Sequence, residues 1–176
     1  MPPIPPDDVA SLWDFSLRQY ARAGVADACL RLQDEHGVNV NVLLWCLWLG
    51  QRGLTLDITR LRSAQKRIHA WDEHYVVPLR QLRRRMKAEF GTADVGVEPV
   101  RQQIKQAELL AEKHLQSLLE VLPHNWESAG ATSAQSYIAG KNLRFYLQQF
   151  NVADTAIVEL LALLGSGADS VAQARI

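Results

Sequence analysis

Three observations on this sequence predict an all-α fold. Apolar residues recur at intervals of three and four along nearly the whole chain, Gly and Pro punctuate the ends of those runs, and no stretch reads convincingly as a β-strand. The 176 residues suffice for one domain with a real core, and the hydrophobic (48%) and charged (22%) fractions exclude general disorder. The expected architecture is a single compact domain of seven to eight helices around a buried central apolar helix. It spans residues 8–165, with an extended Pro-rich lead-in at 1–7, a flexible tail at 166–176 and one candidate hinge at 91–98.

The first helix is expected over 8–22, capped by Asp7 or Asp8, with Val9, Leu12, Trp13, Leu17 and Tyr20 on one stripe. A second carries Val25, Cys29 and Leu32 and stops at Gly37, a residue suited to the left-handed conformation. Asn39 or Asn41 caps the third, whose run Val42-Leu43-Leu44-Trp45-Cys46-Leu47-Trp48-Leu49 is apolar nearly all round, the mark of a buried helix. Thr55 and Asp57 announce a fourth, with Ile58, Leu61, Ala64, Ile68 and Trp71 in step. Pro78 either begins the next helix or kinks one that continues, and Leu79, Leu82, Met86 and Phe90 form its seam. Pro99 opens a long helix lined by Val100, Ile104, Ala107, Ala111, Leu115, Leu118 and Leu122. Thr132 or Ser133 caps the helix bearing Tyr137 to Phe150, and a last apolar helix runs from 152 to 164.

Chemistry is harder to find. The five histidines make no His-x-x-x-His pair; His69 and His74 stand about 140° apart on a helix, so they share no ligand face. No glycine spacing matches a phosphate loop, and no serine sits in a nucleophile elbow. Glu108 and Glu112 are an i,i+4 pair read as a solvated face beside Lys105 and Lys113. Cys29 and Cys46 lie in apolar stretches without metal-type spacing and read as two reduced core thiols. No cofactor or metal is expected, no catalytic residue is named, and an enzyme would need a site dispersed between helices. The N-terminus lacks secretory features and the most apolar run is far short of a bilayer span, so a cytoplasmic protein without a membrane partner is expected.

Charge is zero overall, with 19 Lys+Arg and 19 Asp+Glu, but unevenly placed: residues 1–50 carry −3, 51–90 carry +6 and 91–131 carry −3. Arg80, Arg83, Arg84 and Lys87 fall within about 100° of helix surface. Such a row is solvated, or paired within the chain, or a surface for a protein partner or for phosphates. The aromatics Trp71, Tyr75 and Phe90 read as packing residues, which counts against nucleic acid. The tryptophans read as core, each indole N–H finding an acceptor, apart from Trp126. That residue lies in a loop and is either an exposed anchor or a plug. Asn142 interrupts an apolar helix; buried, it fixes helix register, and exposed, it lends a polar group to a pocket.

The run from Cys29 to Leu49, with Leu32-Gln33 followed by Gly37-Val38-Asn39-Val40-Asn41, resembles an uncharacterised bacterial family of small cytoplasmic helical proteins. Trp13 and Phe15, the segment Pro78-Leu79-Arg80-Gln81-Leu82-Arg83, and Asn142-Leu143 with Tyr146 extend the resemblance over about residues 10 to 163. Position 39 is Asn where that family's pattern has Asp. The resemblance implies no activity; its shared residues fit a structural junction made by Gln33, Asn39 and Asn41. The functional expectation is a protein-binding adaptor or regulator, its partner another protein or a second copy, using the 80–87 row or the Trp126 loop. The alternatives are a nucleic-acid-binding accessory protein using that row, and an enzyme for an anionic metabolite.

Overall fold

The computed structural model describes residues 10–128 and 134–165. The expected lead-in at 1–7, the Asp7 or Asp8 cap, Val9, the Thr132 or Ser133 cap and the tail at 166–176 lie outside the described residues. Among the described residues the chain is all-α. Its elements are α1 (Leu12–Tyr20), α2 (Val25–His36), α3 (Val40–Gln51), α4 (Ile58–Trp71), α5 (Val77–Phe90), α6 (Val97–Glu120), α7 (Gln135–Gln148) and α8 (Asp154–Leu163). A π-helical segment, Asp72–Val76, joins α4 to α5, and a 3-10 turn, Leu122–Asn125, follows α6. The chain divides into two compact units, one built from residues 1–61 with 123–176, the other from 62–122. The 91–98 segment lies inside the second unit and joins α5 to α6.

In the first unit α3 is the central element, buried at every position from Asn41 to Gly50. Its start follows from local chemistry. Gly37 ends α2 at φ 70°, and the Asn39 side chain then accepts from the N–H groups of Asn41 (3.0 Å) and Val42 (3.4 Å). α3 packs chiefly on α7, with α1 on another side. The α3–α7 approach is so close at Gly50 that a Cβ there would fall on the backbone of Ala139. α1 begins later than expected: Ser11 caps it by accepting from the Asp14 N–H, and Leu12, Phe15 and Ser16 face inward. Leu17, placed on the apolar stripe by spacing, is half exposed.

The second unit departs further from expectation. Pro78 lies in the first turn of α5, and the helical backbone runs into that turn from α4 without a break through the π segment. The Pro78 ring would press on the carbonyl of residue 74, and the wider π turn, closed by Val77 N–H on the Asp72 carbonyl, relieves that crowding. α5 buries none of its residues fully; Leu79, Leu82 and Met86 are half-buried and Phe90 is exposed. α6 starts at Val97, two residues before Pro99, because Asp94 accepts from the N–H groups of Gly96 (2.9 Å) and Val97 (3.0 Å). The inward face of α6 runs through Arg101, Glu108, Ala111, Leu115 and Leu119, so Val100 and Ala107 are turned outward.

Candidate functional site

The basic row on α5 splits in two. Arg80 and Arg83 face α6. The Arg83 guanidinium meets both carboxylate oxygens of Glu108, while Arg80 reaches Glu108 at 3.2 Å and Glu112 at 2.6 Å. The two glutamates are therefore not a solvated face: the Glu108 side chain is only 7% exposed and lies between two arginines. The Glu108 hydrogen bond holds the Arg83 guanidinium more firmly protonated than usual. Burial pushes the Glu112 carboxyl above its ordinary value, against the opposing pull of Arg80. Arg84 and Lys87 remain exposed. The spacing signal for this pairing was present: an i,i+3 arginine pair faces an i,i+4 glutamate pair, and their segments carry opposite net charge.

Trp126 is half-buried in the first unit. Its ring stands edge-on to Trp45 with centroids 5.8 Å apart, and the Arg60 guanidinium lies over it at 4.2 Å from the centroid. It is a gap-filling ring, not an exposed anchor. The Trp48 indole donates to the Ala10 carbonyl at 3.2 Å and that of Trp71 to Ala111 at 2.9 Å. The Trp45 indole N–H departs from expectation, with no acceptor among the described residues.

The junction residues come together around α3. Asn142 on α7 is buried and uses its whole amide: Oδ1 accepts from Leu56 N–H (2.8 Å), and Nδ2 donates to the carbonyls of Leu54 (2.8 Å) and Cys46 (3.3 Å). One turn on, the Tyr146 hydroxyl accepts from the Asn39 N–H at 3.1 Å and donates to its carbonyl at 3.3 Å. Asn41 is buried at the start of α3, and Gln33 is half-buried, its carbonyl closing the Gly37 turn. Asn142 and Tyr146 thus tie α7 to the 54–56 strap, to the Cys46 carbonyl of α3 and to the Asn39 cap that starts α3.

Sequence reasoning missed one surface. Tyr75, in the π segment, is half exposed; Trp71 lies against it at 4.5 Å, and His114 of α6 meets the same indole at 4.5 Å. Leu110, one turn before His114, is 68% exposed. Tyr75, Trp71 and His114 thus form one ring cluster on the second unit, with Leu110 one helical turn away along α6. The i,i+4 spacing of Trp71 and Tyr75 was the available signal, though spacing alone did not show which side of the pair stays open.

Among the described residues no three His, Cys, Asp or Glu side chains cluster as metal ligands. Two shallow crevices have volumes of about 70 and 60 Å³, one lined by Arg31, Glu35 and Glu159 among others, the other by Gln19, Arg22 and Gln51. Each has room for a few waters. Both cysteines are free and buried, and burial pushes the Cys29 thiol up to about 12 and that of Cys46 higher still, so both stay protonated. No helix among the described residues is long and apolar enough to cross a membrane.

No curated protein and no solved structure matches the chain. A family model described as "Protein of unknown function (DUF2390)" matches residues 11–119, a stretch that takes in the Asn39 cap, the π segment and the Arg83–Glu108 pair. The chain belongs to that family.

Proposed function

We propose that the protein is a cytoplasmic protein-binding adaptor or regulator, and that it engages its partner through the Tyr75–Trp71–His114–Leu110 patch. The observation that carries this reading is a ring cluster in which exposed Tyr75 of the π segment and exposed His114 of α6 flank half-buried Trp71, with exposed Leu110 one turn before His114. Tyr and Trp are the residues that dominate binding energy at protein interfaces, because they bring large apolar area at low entropic cost. π segments recur at functional positions. The two buried protonated thiols suit a reducing compartment. Nucleic acid is less favoured, since two of the four cations in the 80–87 row are engaged with Glu108 and Glu112.

The test is affinity capture from the native cytoplasm with nuclease present, comparing wild type with Tyr75→Ala and Leu110→Glu. A stoichiometric protein partner retained by wild type and lost from both variants, at unchanged melting temperature, is the expected result. A partner held equally by all three, or bound material that disappears with nuclease, overturns the reading.

A further inference from the structure

α6 keeps most of its charge away from solvent. Arg101 and Glu108 are buried, and Glu98, Glu112 and Glu120 are half-buried. Its outward side is different. Val100, Gln103, Ala107, Leu110, His114, Ser117 and Val121 are all exposed, Val100 at 52% and Val121 at 61%. They recur at alternate steps of three and four along the whole helix, and none is an acid, a lysine or an arginine. That period is the one by which a helix packs lengthwise on another helix. Leaving Val100, Leu110 and Val121 in water forfeits the free energy of their burial, which a second helix along the stripe recovers. The apolar spacing that predicts an inward Val100 and Ala107 is a seam that one chain leaves open.

We propose that the occupant of the Leu110 surface is a second copy of this chain, α6 lying antiparallel on α6 across a two-fold axis at Leu110. This rests on the reading of the Tyr75–Trp71–His114–Leu110 patch as a binding surface, and names what binds. The order of residues in the stripe identifies the second copy. Counted outward from Leu110, Ala107 and His114, Gln103 and Ser117, and Val100 and Val121 lie at matching distances to within one residue. A two-fold there sets valine on valine at both ends, an amide on a hydroxyl, the small Ala107 against the large His114, and Leu110 on its own mate. Lys113, beside the stripe, falls opposite Gln106 and not another lysine. A parallel pair would instead stack Ala107 on Ala107 and His114 on His114, leaving a gap in one layer and crowding another. The two-fold contact uses the same surface on both copies, so association stops at the dimer.

The test is sedimentation velocity on the full chain, nuclease-treated, between about 5 and 200 μM and at about 50 and 500 mM salt. Wild type is expected to pass from monomer to dimer as concentration rises, to the same extent at both salts, because no ion pair crosses the contact. Leu110→Glu, at an exposed position, is expected to stay monomeric with an unchanged melting temperature, and Val121→Glu likewise. Oxidative cross-linking reads the orientation. Leu110→Cys is expected to form a disulfide with its own mate. Val100→Cys is expected to do so only with Val121→Cys in an equimolar mixture, since antiparallel copies hold their two Val100 residues about 30 Å apart. The native Cys29 and Cys46 are buried and stay out of the reaction.

A wild type monomeric at about 200 μM overturns the proposal. So does a dimer that survives both glutamate variants, or one in which Val100→Cys cross-links to itself. A monomeric chain that still captures a different protein through Tyr75 and Leu110 overturns the second copy alone and leaves the patch a binding surface. A chain that neither dimerises nor retains a partner overturns both.

Discussion

Arg83 of α5 places Nε and Nη2 on the two carboxylate oxygens of Glu108 of α6, a paired contact between a partly covered guanidinium and a nearly buried acid. Removing one member of such a pair leaves the other desolvated and unmatched, which costs more than the pair contributes. Glu108→Gln offers one carbonyl oxygen to two guanidinium groups. It is expected to lower stability by about 2–3 kcal/mol in urea melts. A change below about 0.5 kcal/mol would show that the contact is absent in solution.

Glu112 behaves in the opposite sense. Its carboxyl is raised above the reference value of 4.5, so the folded chain takes up a proton more readily than the unfolded one. The ionised form therefore costs stability at neutral pH, and that cost fades as pH falls through the folded value toward 4.5. Glu112→Gln is expected to be neutral or stabilising at pH 7 and to lose that advantage at pH 5. Urea melts of both proteins at the two pH values check the sign; a variant less stable at pH 7 than at pH 5, relative to wild type, contradicts it.

Asn142→Leu keeps the volume and removes the amide. It strands the Leu56 N–H and the Leu54 carbonyl in a buried setting, while the Cys46 carbonyl keeps its place in the α3 hydrogen-bond ladder. The expected loss is about 3 kcal/mol, since each unsatisfied buried group costs about 1–3 kcal/mol and some relax. Thermal unfolding by circular dichroism is the measurement, and an unchanged melting temperature would show that Asn142 is not the fastener of α7.

Two glycines separate steric crowding from backbone strain. A Cβ at Gly50 collides with the Ala139 backbone, whereas one at Gly37 meets nothing within 4 Å and bears only the φ of 70°. Gly37→Ala is expected to cost about 1 kcal/mol. Gly50→Ala is expected to cost at least twice that, or to prevent folding, because the α3–α7 spacing must open. Equal effects in parallel urea melts would exclude the close approach.

Where neighbouring residues decide an element, the sequence was readable. Gly37 and Asn39 end one helix and start the next with their own side-chain and backbone chemistry, and the run after Asn41 is too apolar to lie anywhere but inside. The seam of α6 was misread because apolar periodicity assigns Val100 and Ala107 inward. Arg101 and Glu108 occupy that side instead, their charges matched by Glu98 and by the α5 arginines. The helical spacing of Glu108 is the same whether solvent or arginine lies opposite. Trp126 poses the same difficulty from a loop: nothing local says that Trp45 and Arg60 will enclose it.

The π segment has a genetic meaning. A wide turn inside an otherwise regular helix is what one extra residue produces when the flanking faces are held in place. Deleting a single residue between Asp72 and Val76 would let an unbroken α-helix form with the flanking faces still in place, whereas adding one more would turn α5 by about 100° about its axis. After such an insertion Arg80 and Arg83 would swing away from Glu108. The side chains that clasp α5 to α6 thus keep one reading frame along the helix, and this segment sets it.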